Sequence, residues 1–460
     1  MLLKREFTLL RAQKASAWTS APSWRGWKFL VAWLFFTIYW PGQDAYGQDT
    51  PYPIAYASGD IQTVLLHPQG LPAELPFISL DSGTLVFKFD DLSSSYRTLE
   101  IRWKHCTFDW YDSPDLIPAD YIQGFTSLSL NDSEASFNTR VGYTHYSTEF
   151  PNDLMRFSKS GNYVLSVVDP SEPETPLILK RFVVYENLVD IELIVQEAKS
   201  IPLKRSHQEL DFSITHSSDR FIIQDAYDAL QTTILQNGRW DQAIAGLEPV
   251  FVKGAEVVFS QQGEHPFEGG NSWRFADLKS LQYISQGLDR IEEGRQHTHM
   301  HLKPDELRTY AYHQARSDLN GAYVISNERQ DDHTGGDYVM AHFALACFDR
   351  YPDQDVYVFG QCSDWMFPLT HRMQWNDQHR RYELALFLKQ GYYNYTYVTR
   401  PTWAANRHDS EALTGGAART STIEGSHAAA DNSYQVIAYY WDDSGYDRVI
   451  GFQPGRSAVY

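Results

Sequence analysis

The chain has 460 residues, with 39 lysines and arginines against 58 aspartates and glutamates, a formal net charge of −19 at pH 7. That balance excludes the basic footprint from which nucleic-acid binders draw most of their affinity, and it fits poorly with an anionic membrane surface. Three cysteines, Cys106, Cys347 and Cys362, are too few for a disulfide scaffold, and the length leads one to expect two or three domains.

The first segment reads as a targeting leader. Lys4, Arg5, Arg11, Lys14, Arg25 and Lys28 precede the apolar run Phe29 to Trp40. Small residues then frame a cleavage site at Ala45-Tyr46-Gly47. The run is shorter than the roughly 20 residues that span a bilayer and suits a signal-peptide core. The expectation is a signal peptide over 1–47, a mature chain from about Gln48, and no further membrane span. Removing six basic and two acidic residues leaves 33 against 56, a balance of −23.

Beyond the leader, strands dominate. Leu85 to Asp90, Tyr163 to Val168, Phe182 to Tyr185 and Tyr395 to Val398 are strand-like runs in a chain that is 15% aromatic. Period-2 patterning broken by Gly, Pro, Asn and Asp turns predicts β-sandwiches. The run Leu99 to His105 alternates as well, so His105 and Cys106 fall on opposite faces of a strand. That placement argues against a nucleophile–base pair. Asp112-Ser113-Pro114 follows as a turn.

Lys159-Ser160-Gly161-Asn162-Tyr163 and Lys389-Gln390-Gly391-Tyr392-Tyr393 share one local pattern, a turn glycine followed by a tyrosine that opens a strand. This is the signature of a tyrosine corner in an immunoglobulin-like sandwich. The predicted domains are an N-terminal β-sandwich over 48–186, a middle β-rich domain over 187–330 and a C-terminal immunoglobulin-like domain over 331–460. Ser410 to Asn432, rich in Gly, Ala, Ser and Thr, reads as a flexible loop.

Several groups invite chemical readings. His297, His299 and His301 alternate on one strand face and suit a zinc or copper ion, but no carboxylate or cysteine at ordinary spacing completes the set. Cys347 and Cys362 flank a turn, which leaves a disulfide between them open. Asp331-Asp332 and Asp442-Asp443 read as solvated turns. No G-x-S-x-G, H-E-x-x-H, phosphate loop or dinucleotide fingerprint is present, so catalytic, cofactor and metal residues are all expected to be none. Near the C-terminus, Val356 to Gly360, Ser363-Asp364-Trp365, Trp375 and Tyr392 resemble the early-set modules that bind glycogen or starch. That resemblance gives the alternative reading, a secreted or periplasmic carbohydrate-binding protein using Trp365, Trp375 and Tyr392 as a platform.

Taken in order, His105 to Phe125, Tyr143 to Asp153, Ser160 to Val168, Ile234 to Ile244, Phe267 to Ser280 and Leu388 to Val398 resemble the plug protein family of the type IX secretion system of Bacteroidota. The resemblance runs from about Ile61 to Gly451. It implies a non-catalytic periplasmic subunit, a monomer when free, that closes the periplasmic mouth of an outer-membrane β-barrel translocon in its resting state. The residues that touch the barrel are not legible. The sequence departs from the family pattern at Thr107 or Phe108, where an acidic residue is usual, at the His297 patch and in the Ser410 to Asn432 segment.

Overall fold

The computed structural model describes residues 51–93, 97–309, 318–328, 334–402, 418–441 and 445–457. The expected leader, Asp331-Asp332 and Asp442-Asp443 lie outside them.

Alternating apolar residues require two covered sheet faces, and the chain meets that requirement three times. In the first sandwich one sheet orders Ala55–Ala57, Pro176–Tyr185, Gly161–Val168, Glu100–Cys106 and Ser127–Ser129, with Phe77–Ser79 parallel to Pro176–Tyr185. The facing sheet orders Ile61–Pro68, Leu85–Asp91, Thr144–Phe150 and Ser133–Ala135. Trp103, Phe150, Tyr163 and Phe182 fill the space between them.

The second sandwich is discontinuous. One of its sheets orders Asp190–Glu197, His207–Thr215, Glu256–Ser260 and Phe251–Lys253. The other orders Ile244–Ala245, Leu230–Gln236, Ser433–Trp441 and Asp447–Arg456, so the C-terminal strands return to close it. Leu210, Phe212, Phe259, Ile234, Tyr434 and Val436 form its core.

The third sandwich is inserted into the second. Arg274–Asp277, Gly391–Pro401 and Tyr323–Ile325 make one sheet, to which Gln354–Phe359 is joined through Gly391–Pro401. Leu288–Glu293, Thr298–Leu302, Tyr338–Ala346, Arg381–Lys389 and Gln374–Asn376 make the other.

The boundary expected at residue 330 is therefore corrected. Strands before it, such as Arg274–Asp277 and Thr298–Leu302, share sheets with strands after it, and Ser433–Trp441 belongs with Leu230–Gln236. Period-2 patterning identifies a strand but not its partner, and partners here lie up to about 200 residues away.

The Ser410 to Asn432 segment is also corrected over its described part. Ile423, Glu424 and Ala430 are buried, and Ser421–Glu424 is a short helix. Small residues there allow close backbone approach; a Cβ at Gly269 would collide with the His427 carbonyl.

Both predicted tyrosine corners have their hydrogen bonds. Tyr163 Oη donates to the Lys159 carbonyl at 2.7 Å and Tyr393 Oη to the Lys389 carbonyl at 2.6 Å. Each ring is buried beneath its sheet and tied back four residues upstream.

Candidate functional site

The stretch His105 to Leu116 forms part of the joint between the first two sandwiches. Glu100–Cys106 is an inner strand of a sheet covered on both sides. Trp103 faces the first core, while Cys106 joins Val164, Leu179, Val183, Leu235, Ile437, Tyr439 and Val449 in an apolar seam with the second sandwich. Trp110 meets Trp240 edge-on at 4.9 Å, and Phe108 meets Tyr439 at 4.9 Å. The Phe108 backbone N–H donates to Asp447 Oδ2 at 2.6 Å.

His105 is buried and held on both ring nitrogens. Nδ1 lies 2.7 Å from Ser113 Oγ and Nε2 lies 3.1 Å from the Ser160 carbonyl. Since a carbonyl only accepts, Nε2 carries the proton and the ring is satisfied in its neutral form. Burial pushes its pKa down to about 4, against a smaller opposing effect of the Ser160 carbonyl. Gly161 has φ +150°, and a Cβ there would collide with the His105 ring, which fixes the glycine of the repeated pattern at that point. Burial likewise pushes the Cys106 thiol up, so no thiolate is available for nucleophilic attack.

A second joint is polar. Lys389 Nζ donates to Asp90 Oδ2 at 2.7 Å, with both side chains 1% exposed, linking the third sandwich to the first. Tyr338 Oη donates to the same oxygen at 2.6 Å, and His145 Nδ1 contacts Asp90 Oδ1 at 2.7 Å. Thr63 Oγ1 is 2.6 Å from Tyr338 Oη, and Lys389 Nζ sits 4.1 Å from the Tyr143 ring centroid. Lys389 is also the corner residue whose carbonyl receives the Tyr393 hydroxyl, so one residue serves the corner and the joint.

Within the third sandwich, Glu424 accepts from Arg274 Nε at 2.9 Å and Arg308 Nε at 2.7 Å. Burial pushes its carboxyl up, but the two guanidinium groups outweigh that and hold it below the usual range. Asp305 completes the network, accepting from Arg274, Tyr395 and Tyr397. Both carboxylates in it accept from arginine and tyrosine groups of the fold itself, which is the arrangement of a structural network.

His299 and His301 do share a face of Thr298–Leu302, and the parallel neighbour supplies a third imidazole that sequence spacing did not show. His342 stacks on His301 at 4.2 Å, and its Nε2 lies 2.9 Å from His299 Nδ1. Glu292 stands 3.4 Å from His301. Burial, with the neighbouring histidines, lowers His342 to about 4. Among the described residues no group of three or more His, Cys, Asp or Glu side chains is arranged to hold a metal ion. His297 packs edge-on against Phe387.

Cys347 and Cys362 are free thiols, not a disulfide, and burial pushes them up to about 11 and about 12. Trp365, Trp375 and Tyr392 do not form a row. Trp365 is buried against Trp273 and Phe359, Trp375 packs on Tyr382, and Tyr392 stacks on Phe275.

Residues 61–186 match the model of the type 9 secretion system plug protein 1st domain. The N-terminal sandwich is a type 9 secretion system plug domain. The match begins at Ile61 and ends one residue beyond Tyr185, the last residue of this plug sandwich's final strand. The matched range holds both His105–Cys106 and Asp90, the plug-domain side of each joint. A solved structure, a hypothetical protein from Parabacteroides merdae ATCC 43184, is 28% identical with a TM-score of 0.82. The alignment covers 89% of this chain and 100% of that one, so the similarity reaches beyond the plug domain. The BSP domain of a biofilm associated protein aligns at 8% identity and a TM-score of 0.17, which supports no structural argument. No curated protein matches. The plug domain gives the chain a role related to type 9 secretion, in association with that system at the cell envelope. No helix among the described residues is long and apolar enough to cross a membrane.

Proposed function

We propose that this chain is a non-catalytic periplasmic plug that closes the periplasmic mouth of the type 9 translocon barrel while no substrate occupies it. The plug-domain match over residues 61–186 carries this reading. Physical support comes from the joints. A stopper for a wide aqueous lumen must not flex open between its parts, and here the first sandwich is fastened to the second by an apolar seam and to the third by a buried ion pair. In this reading export by the leader over 1–47 delivers the chain to the periplasm, where the acidic surface keeps it soluble. The partner is the outer-membrane barrel subunit, engaged through a polar, exchangeable contact of moderate size.

The test is deletion of the gene followed by measurement of outer-membrane permeability to large antibiotics. Increased entry, reversed by complementation, is the expected result. Unchanged entry would overturn the plugging role.

A further inference from the structure

One face of the five-stranded sheet in the third sandwich carries two features along its length. At one end the cross-strand neighbours Tyr338 and Lys389 meet Asp90 of the plug domain. Side chains alternate, so Met340 and His342 follow Tyr338 on that face, while Ala385 and Phe387 precede Lys389 on it. Phe387 stacks on Tyr338 at 5.1 Å and meets His297 edge-on at 4.9 Å. Beyond them lie His299, His301 and His342, all half-buried. The polar joint and the histidine patch are two ends of one surface.

The imidazoles of the patch leave little room for charge. His342 Nε2 is 2.9 Å from His299 Nδ1 while the ring centroids are 5.2 Å apart, so the nitrogens point at each other and share one proton. That pair keeps its bond with one further proton and loses it with a second, since two N–H groups would then meet head-on. His301 stacks on His342 at 4.2 Å, so charge on either ring disfavours charge on the other. Glu292 and Arg290, the cross-strand neighbours of His299 and His301, oppose one another. Lys303 follows His301 along its strand, Ala385 faces His342, and Glu383 beyond it is engaged by Asn376, Arg381 and His379. Burial, with the neighbouring histidines, lowers His342 to about 4, and burial with Arg290 lowers His301.

The turn that leads into the patch is held by the plug domain. Arg140, between strands Ser133–Ala135 and Thr144–Phe150, pairs with Glu293 at 3.1 Å and donates to the Gly294 carbonyl at 3.4 Å. Its backbone N–H and that of Val141 donate to Asp337, the residue before Tyr338. A Cβ on Gly294 would collide with the His299 ring, so the turn lies directly on that imidazole.

We propose that His299, His301 and His342 form an acid-released latch: protonation parts these imidazoles, displaces the 293–297 turn and frees the plug-domain loop at Arg140 from the third sandwich. The closed patch binds protons less readily than histidines in water, so acid favours the open form. The latch is complete above about pH 6.5 and is lost as the pH falls toward 4. Glu292, 3.4 Å from His301, opposes release, while Arg140 and Arg290, cations already beside the turn, assist it. At the far end an added proton on His145 strengthens its contact with Asp90, so that histidine does not open the joint. The latch operates whether or not the chain plugs a barrel.

Amide hydrogen exchange at Arg140 and Val141, corrected for intrinsic rate and followed from about pH 7.5 to about pH 5, tests this. A histidine held near 4 when closed and near 6.5 when open favours opening by about thirtyfold at pH 5, so protection at both amides should fall by at least about tenfold. Val164, buried in the seam, should lose less over the same range, which separates the latch from global unfolding. His342→Gln cannot ionise there, and the fall should shrink to less than about threefold. His301→Gln, at a half-buried position, should also reduce the fall, and it serves where the first variant does not fold. Undiminished protection at pH 5, a fall as large in every histidine variant that folds, or a fall matched by Val164 would overturn the latch.

Discussion

The plug domain is held to its neighbours in two different ways. Toward the second sandwich it presents Cys106, Val164, Leu179 and Val183 to Leu235, Ile437, Tyr439 and Val449, a mainly apolar seam with hydrogen bonds from the Phe108 N–H to Asp447 and from Tyr439 Oη to Asn162 at its margin. Toward the third it presents one carboxylate, Asp90, to Lys389, with Tyr338 and His145 arranged around it. An apolar seam tolerates small shifts, because its free energy follows area removed from water. A buried ion pair tolerates none, because each charge is stabilised only while its partner stays in hydrogen-bond reach. The seam thus supplies cohesion and the ion pair supplies register.

Breaking the polar joint should have the largest effect. Lys389→Met leaves Asp90 buried without its lysine, with only Tyr338 and His145 still in contact, and an expected loss of about 3 kcal/mol in urea unfolding. Replacing both, Asp90→Leu with Lys389→Met, should recover most of that loss while loosening the register, seen as faster amide exchange at Tyr338 and Tyr143. If the double variant is as unstable as the single one, the pair does not carry the joint in this way.

The seam is tested by Ile437→Ala, a fully buried position, at about 3 kcal/mol by the same denaturation. A cost below about 1 kcal/mol would mean that the sandwiches close up around the deleted atoms. Acid provides a probe beside the seam. His105 is neutral in the fold with its pKa lowered to about 4, below an unfolded value near 6.5. The unfolded chain therefore binds the extra proton first, so stability is complete above pH 6.5 and falls as the pH drops toward 4, by up to about 3 kcal/mol. His105→Leu should flatten that part of the profile; an unchanged acid limb would assign it to other groups. The smallest effect is expected at the corners. Tyr163→Phe removes one hydroxyl bond to Lys159 and should cost about 1 kcal/mol in chemical denaturation. Tyr393→Phe should cost more, since its acceptor is the backbone of Lys389 at the polar joint.

Much of this was legible in the order of residues. Alternation placed His105 and Cys106 on opposite faces, and the paired Lys-x-Gly-x-Tyr and Lys-x-Gly-Tyr-Tyr segments announced both corners. The boundary at 330 failed because Leu230–Gln236 finds its partner in Ser433–Trp441, and nothing local to either strand records that pairing. The histidine patch was half seen. His299 and His301 show their shared face by spacing alone, whereas His342 joins them only through the parallel pairing of two strands.

The sequence by itself determined the period of each strand, the corner tyrosines and the family of the first sandwich, because these depend on residues within a few positions of one another or on a contiguous match. Tertiary structure alone decided that both faces of the His105–Cys106 strand are buried and that Lys389 meets Asp90. Those are meetings across long stretches of chain, fixed by which sheets can cover one another's apolar faces. That is a property of the whole packed body, and no local pattern of residues encodes it.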